Sequence, residues 1–139
     1  MDWRKYLTLD WDYYNIPYIL NHWATIVFYI ETRTRHIKVL ESEKGFNVIL
    51  ELNYDQGTFY FHLVDRLILG DDLFRIRHDL EKWLWKQEHR VNRIWEEKNG
   101  KKKKVVFDIS SVEFHNISTK LYDVLKNKYL LLKSAGDKQ

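Results

Sequence analysis

The run DLFRIRHDLEKWLWKQEHRVNRIWEEK, Asp72 to Lys98, is the stretch on which the fold turns. At about 100° per residue, Leu73, Ile76, Leu80, Trp83, Leu84, Val91, Ile94 and Trp95 gather within about 120° of arc, the apolar stripe of an amphipathic helix. In front of it, Gly70-Asp71-Asp72 supplies a helix cap, with acidic residues where the helix dipole favours them. Behind it, Asn99-Gly100 supplies a stop. The spacing predicts one helix of about seven turns, and such a helix needs an apolar surface to lie on.

Toward the N-terminus that surface reads as a sheet. Thr25 to Thr34, His36 to Glu41, Asn47 to Tyr54 and Thr58 to Asp65 have strand composition, and four successive antiparallel strands are the simplest arrangement. Val48, Leu50 and Leu52 alternate with Asn47, Glu51 and Asn53, while Phe59, Phe61 and Leu63 alternate with Tyr60, His62 and Val64. Period two with an apolar side means that one face packs on something else. Asp55-Gln56-Gly57 suits a hairpin connection, and Glu43-Lys44-Gly45 separates the second run from the third. Residues 1 to 23 are the least regular. Trp3, Tyr6, Leu7 and Leu9 read as a short apolar anchor, and Asn15-Ile16-Pro17 opens a short helix or turn over 16 to 22. Ile19, Trp23, Ile26 and Ile30 also fit helical spacing, but the β-branched and aromatic density of Ala24 to Thr34 favours a strand.

Toward the C-terminus, Val105 to Ile109 and Val112 to His115 read as short strands divided by Ser110-Ser111. Ser118 is placed to cap a final helix over Thr119 to Lys133, with Ile117 and Tyr122 as its hydrophobic staple. Leu121, Val124, Leu125, Tyr129 and Leu132 form its inner face, and residues 134 to 139 read as a frayed tail. The expected whole is a single α+β domain over residues 1 to 139: an antiparallel four-stranded meander packed on a long amphipathic helix, with a short additional β-segment and a C-terminal helix.

Composition agrees with a packed domain. Six Trp, nine Tyr and seven Phe in 139 residues, with one Pro and five Gly, exclude a linker-rich or disordered chain. The absence of cysteine excludes a disulfide framework, a thiolate metal site and a cysteine nucleophile. No apolar run approaches the ~18 residues of a membrane span, and Met1 opens straight onto charged residues. A soluble cytoplasmic protein without a secretory signal or membrane partner is therefore expected. No family match emerges. The cysteine-free, proline-poor, Tyr-, Trp- and Ile-rich composition resembles that of small proteins of heat-adapted microbes or their viruses, a likeness that assigns no functional residue.

Charge is distributed unevenly. The formal net charge is +3, yet Asp72 to Lys104 holds eleven Lys and Arg against six Asp and Glu, an excess of +5, which leaves −2 for the rest. On the predicted helix, Arg75, His78, Lys82, Lys86, His89 and Arg93 share a stripe about 80° wide, roughly opposite the apolar face. The stripe runs toward Lys101, Lys102, Lys103 and Lys104. Such a track suits the phosphates of a nucleic-acid backbone, where counterion release supplies affinity. The same charges also suit an ordinary solvated helix, with pairs such as Asp79–Lys82 and Arg93–Glu97. A second surface is the polar sheet face: Tyr29, Arg33 and Arg35 share a parity, as do His36 and Lys38, and Tyr60 and His62. Rings beside cations favour single strands, whose bases stack.

The search for reaction chemistry returns little. The six His residues form no HxH, HxxxH or HExxH pattern, and His78 and His89 stand about 16 Å apart along the predicted helix. Asp10 and Asp12 would hold Mg²⁺ only if a third acid joined them, and Asp71 and Asp72 are explained as a cap. Glu41-Ser42-Glu43-Lys44 shares only its residue types with acidic–lysine nuclease sites. Glycines never cluster, so no nucleotide cradle is visible, and Ser110-Ser111 lacks a nucleophile-elbow context. No catalytic residue, metal site or cofactor is assigned. The expected function is a non-enzymatic nucleic-acid-binding protein favouring single strands. The alternatives are an assembly module, homodimeric through the C-terminal helix and its consecutive Leu130, Leu131 and Leu132 with Trp85, and a metal-dependent nuclease.

Overall fold

The computed structural model describes residues 5–54, 63–84, 97–98 and 101–137. β1 (Tyr6–Asp12) leads through α1 (Ile16–Asn21) and α2 (Trp23–Arg33) to β2 (Thr34–Ser42), and a turn returns the chain as β3 (Gly45–Leu52). β3 pairs antiparallel with both β1 and β2. β1 and β2 are therefore parallel with β3 between them, a split βαβ unit. Next come α3 (Leu63–Ile68), α4 (Leu73–Leu84) and a ribbon of β4 (Glu97–Lys98) with β5 (Lys101–Lys102). β6 (Val105–Ser110) pairs antiparallel with β2, giving the sheet order β1-β3-β2-β6 before α5 (Ser111–Asp137) ends the chain.

Alternation along the strands decides where the core lies. Leu7, Leu9 and Trp11 of β1, Ile37 and Val39 of β2, and Phe46, Val48, Leu50 and Leu52 of β3 are buried on one face. They form one cluster with Ile16 and Ile19 of α1, Ile26 and Ile30 of α2, and Phe114, Leu121 and Leu125 of α5. Burying a side chain of this size stabilises by roughly 1.5–3 kcal/mol. Trp11 does more than fill space: its indole N–H donates to the Leu69 carbonyl at 2.9 Å, tying the β1 edge to the end of α3. The opposite face carries Thr8, Asp10 and Asp12 beside Asn47 and Ile49.

The expected α+β class, the four-stranded antiparallel sheet and a C-terminal helix are present. Element identities differ in several places. Ala24 to Arg33 is helix, because Ile26 and Ile30 repeat at one helical turn and are fully buried, and packing outweighs β propensity. Residues 6 to 12 are a strand that the sequence reading passed over, although Leu7, Leu9 and Trp11 alternate cleanly with polar residues. The predicted strand from Thr58 lies mostly outside the described residues, and its last part, from Leu63, is helical. Helix is present over Leu73–Leu84, residues 85–96 lie outside the described residues, and Glu97 and Lys98 are strand. The long helix on the sheet is instead α5, 27 residues, and it absorbs the predicted strand Val112 to His115. Phe114, Leu121 and Leu125 share one stripe of it, so the sheet selects helix from Ser111 onward. Ser118 is accordingly no cap; its hydroxyl donates back to the His115 carbonyl. The predicted tail is helical as far as Asp137. No helix among the described residues is long and apolar enough to cross a membrane.

Candidate functional site

The site is built around the joint between α3 and α4. Gly70 has φ of +81°, the left-handed conformation that ends a helix at low cost. The Gly70 N–H donates to the Leu67 carbonyl and the Asp71 N–H to the Arg66 carbonyl, a Schellman stop. Asp72 then caps α4 by accepting from the Phe74 N–H at 2.8 Å, as the sequence suggested. Between stop and cap, Asp71 is buried and saturated. One of its oxygens accepts from the Asp10 N–H (2.7 Å), the Asp72 N–H (2.9 Å) and Arg75 (2.7 Å), and the other accepts from Arg66 Nε (2.7 Å). Arg66, fully buried, also pairs with buried Asp79. Arg75 forks onward to the Thr8 hydroxyl at 2.9 Å. Two cations and two anions thus balance beside the β1 edge, the condition under which buried ions are tolerated.

This joint carries Asp72 to the two acids of β1. One oxygen from each of Asp10, Asp12 and Asp72 lies within 4.8 Å of the others. Crowding has an electrostatic cost. Burial, then the Asp12 carboxylate, push Asp10 up to about 6 against the opposing charge of Arg75. Burial, then Asp72, raise Asp12, with Lys44 opposing. Three half-buried carboxylates are the oxygen donor set that hard divalent cations take. Beside them runs a groove of about 500 Å³ lined by Asp10, Asp12, Glu41, Ser42, Glu43, Lys44, Asn47, Lys102 and Lys103. Asn47 bridges its two sides: its amide donates to Asp10 at 3.2 Å and its carbonyl oxygen accepts from Lys103 Nζ at 2.6 Å. The Ser42 hydroxyl is buried and has no hydrogen-bond partner among the described residues.

The described residues among those expected to bind nucleic acid do not share one surface. Arg75 is turned inward to Asp71 and Thr8, and Lys82 is only 8% exposed, so neither forms an exposed ridge. His78 is exposed beside Phe74, Arg77 and Glu81. Lys86, His89, Arg93, Tyr60 and His62 lie outside the described residues. Lys101 and Lys102 form β5, Lys103 reaches Asn47, and Lys104 is exposed. Tyr29 belongs to α2 and is buried, its hydroxyl donating to Asp65 at 2.8 Å; burial raises its pKa. Tyr54 donates to the same Asp65 oxygen, and the Arg33 guanidinium sits 5.8 and 5.6 Å from the two ring centres. Arg35 is exposed at the start of β2, Lys38 is half-buried, and His36 pairs with Asp108 at 2.8 Å.

Among the described residues of the basic set, the structure gathers Lys102 and Lys103 into one groove and places Arg75, His78 and Lys82 away from it. Sequence reasoning had named both acid pairs without joining them, and the joining residue is Asp72. Lys44 enters the sequence reading within Glu41-Ser42-Glu43-Lys44, and the signal for Asn47 is its alternation with Val48, which puts it on the polar face. Compared with known proteins, the chain matches no protein-family model, no curated protein and no solved structure.

Proposed function

We propose that this protein binds the phosphate backbone of a nucleic acid in the groove flanked by Lys44, Lys102 and Lys103, with a divalent cation on Asp10, Asp12 and Asp72. The observation that carries the reading is the convergence of three carboxylate oxygens within 4.8 Å, two of the three acids also lining a groove that presents three lysines. Without a cation the four carboxylates of that groove outnumber its ammonium groups and repel phosphate. An oxygen-ligated Mg²⁺ or Mn²⁺ reverses the local sign and can share its open positions with phosphate oxygens. The stacking role expected of Tyr29 has no support from its buried position, so the reading rests on backbone contacts rather than bases. It fits a cytoplasmic, non-enzymatic binder, and loss of intact strand on incubation with Mn²⁺ would instead identify a nuclease.

Fluorescence anisotropy with labelled single- and double-stranded oligonucleotides tests this. Binding is expected with Mg²⁺ or Mn²⁺ and is expected to weaken at least tenfold with chelator. The Lys102→Gln/Lys103→Gln variant is expected to flatten the dependence of log affinity on log salt by about 0.7 per lost single-strand contact. Equal binding with chelator, or none at low salt, ends the proposal. A second reading, self-association through α5, draws on Leu130 and Leu131, which stand 51% and 69% exposed.

A further inference from the structure

We infer that Arg75 and Asp71 are positioning residues for the cation, an inference that rests on the cation reading above. Left to themselves, three carboxylates separate by mutual repulsion, because each charge raises the cost of the next. Asp10 and Asp12 are fixed by the sheet, whereas Asp72 stands at the head of a separate helix, about sixty residues later in the chain. Two side chains tie these parts together. Asp71 grips the backbone on both sides of the gap, accepting from the Asp10 N–H at 2.7 Å and from the Asp72 N–H at 2.9 Å with the same oxygen. Arg75 spans the gap in the other direction, with one guanidinium nitrogen on that oxygen at 2.7 Å and the other on the Thr8 hydroxyl at 2.9 Å. Arg66 holds the second Asp71 oxygen from behind at 2.7 Å, so the Asp71 carboxylate cannot rotate away.

Neither residue is placed to ligate the ion: Asp71 is fully engaged, and Arg75 is a cation. Arg75 in fact opposes cation binding by charge while favouring it by geometry, and the two contributions can be separated. Removing its charge should raise cation affinity if only Coulomb repulsion matters. If the fork holds Asp72 in place, affinity should fall despite the lost repulsion. Lysine keeps the charge but presents a single point donor, unable to hold Asp71 and Thr8 together.

The test is Mn²⁺ titration of the full chain, free Mn²⁺ being followed by electron paramagnetic resonance. The proteins are wild type, Arg75→Lys, Arg75→Gln and Asp10→Asn, with circular dichroism reporting the fold. Wild type is expected to bind one ion and Asp10→Asn to lose it. Arg75→Lys and Arg75→Gln are expected to bind at least tenfold more weakly while folded. Unchanged affinity in Arg75→Lys, or tighter binding in Arg75→Gln, overturns the positioning role and leaves the cation reading standing. Should Arg75→Gln fail to fold, the charge-conserving Arg75→Lys decides alone. Absence of Mn²⁺ binding by wild type overturns both.

Discussion

Asp10 condenses the chemistry of the site into one side chain. Its carboxyl is pushed up to about 6 because the sheet and α3–α4 joint strip water from it and Asp12 stands beside it. The sign of the consequence follows from linkage. A group whose pKa is higher folded than unfolded stabilises the fold fully below its unfolded value, 3.8 for this carboxyl, and loses that contribution as pH rises through about 6. The loss has an upper bound of about 3 kcal/mol, reduced by solvent screening at this half-buried position. Asp10→Asn keeps an oxygen for the Asn47 amide and removes the charge. It is expected to be more stable than wild type at pH 8 and equal to it near pH 4, measured by urea unfolding. Added Mn²⁺ should raise the unfolding midpoint of wild type at pH 8 and leave Asp10→Asn unmoved. Identical pH profiles for the two proteins would refute the buried-charge account. None of this was readable locally, since Asp10 and Asp12 are two ordinary acids on a strand until distant groups desolvate them.

At the scale of the element, β3 brings Asn47 alongside Asp10, and Gly45 sets how closely β3 approaches β1. A Cβ at Gly45 would collide with the Trp11 carbonyl oxygen, and that oxygen belongs to backbone that cannot swing aside. Gly45→Ala must therefore part the strands at the end where Asp12 sits, at a cost on the order of 3 kcal/mol. A drop in the denaturant midpoint with unchanged slope is the expected result, and a neutral substitution would show that the strands tolerate separation there. Elements whose residues alternated or were punctuated by turn residues were legible beforehand: β2, β3, β6, α1 and the cap at Asp72. α2 was not, because Ala24 to Arg33 satisfies both strand composition and helical spacing. The α5 start was missed for a related reason: Val112 to His115 is short and apolar in part, and its buried member, Phe114, is selected by the sheet beneath it.

The whole molecule places one apolar sheet face under α1, α2 and α5, while the α3–α4 joint closes the β1 edge, with Leu69 in the core and Asp71 and Arg75 reaching Asp10 and Thr8. Along α5, Val112, Leu130 and Leu131 are exposed. If that helix mediates self-association, light scattering after size exclusion should report a mass twice that of one chain. Leu130→Lys/Leu131→Lys should then return it to monomer, and a monomeric wild type at high concentration rejects the assembly reading. By itself the sequence determined the α+β class, most of the central strands and the cap at Asp72, because periodicity and capping act within a few residues. Only the tertiary structure decided that Arg75 and Lys82 turn inward, that Tyr29 is core, and that Asp72 meets Asp10 and Asp12. Those outcomes depend on which charge or surface arrives from a segment some sixty residues away, and desolvation and Coulomb energy are set by that arrival rather than by the neighbours in the chain.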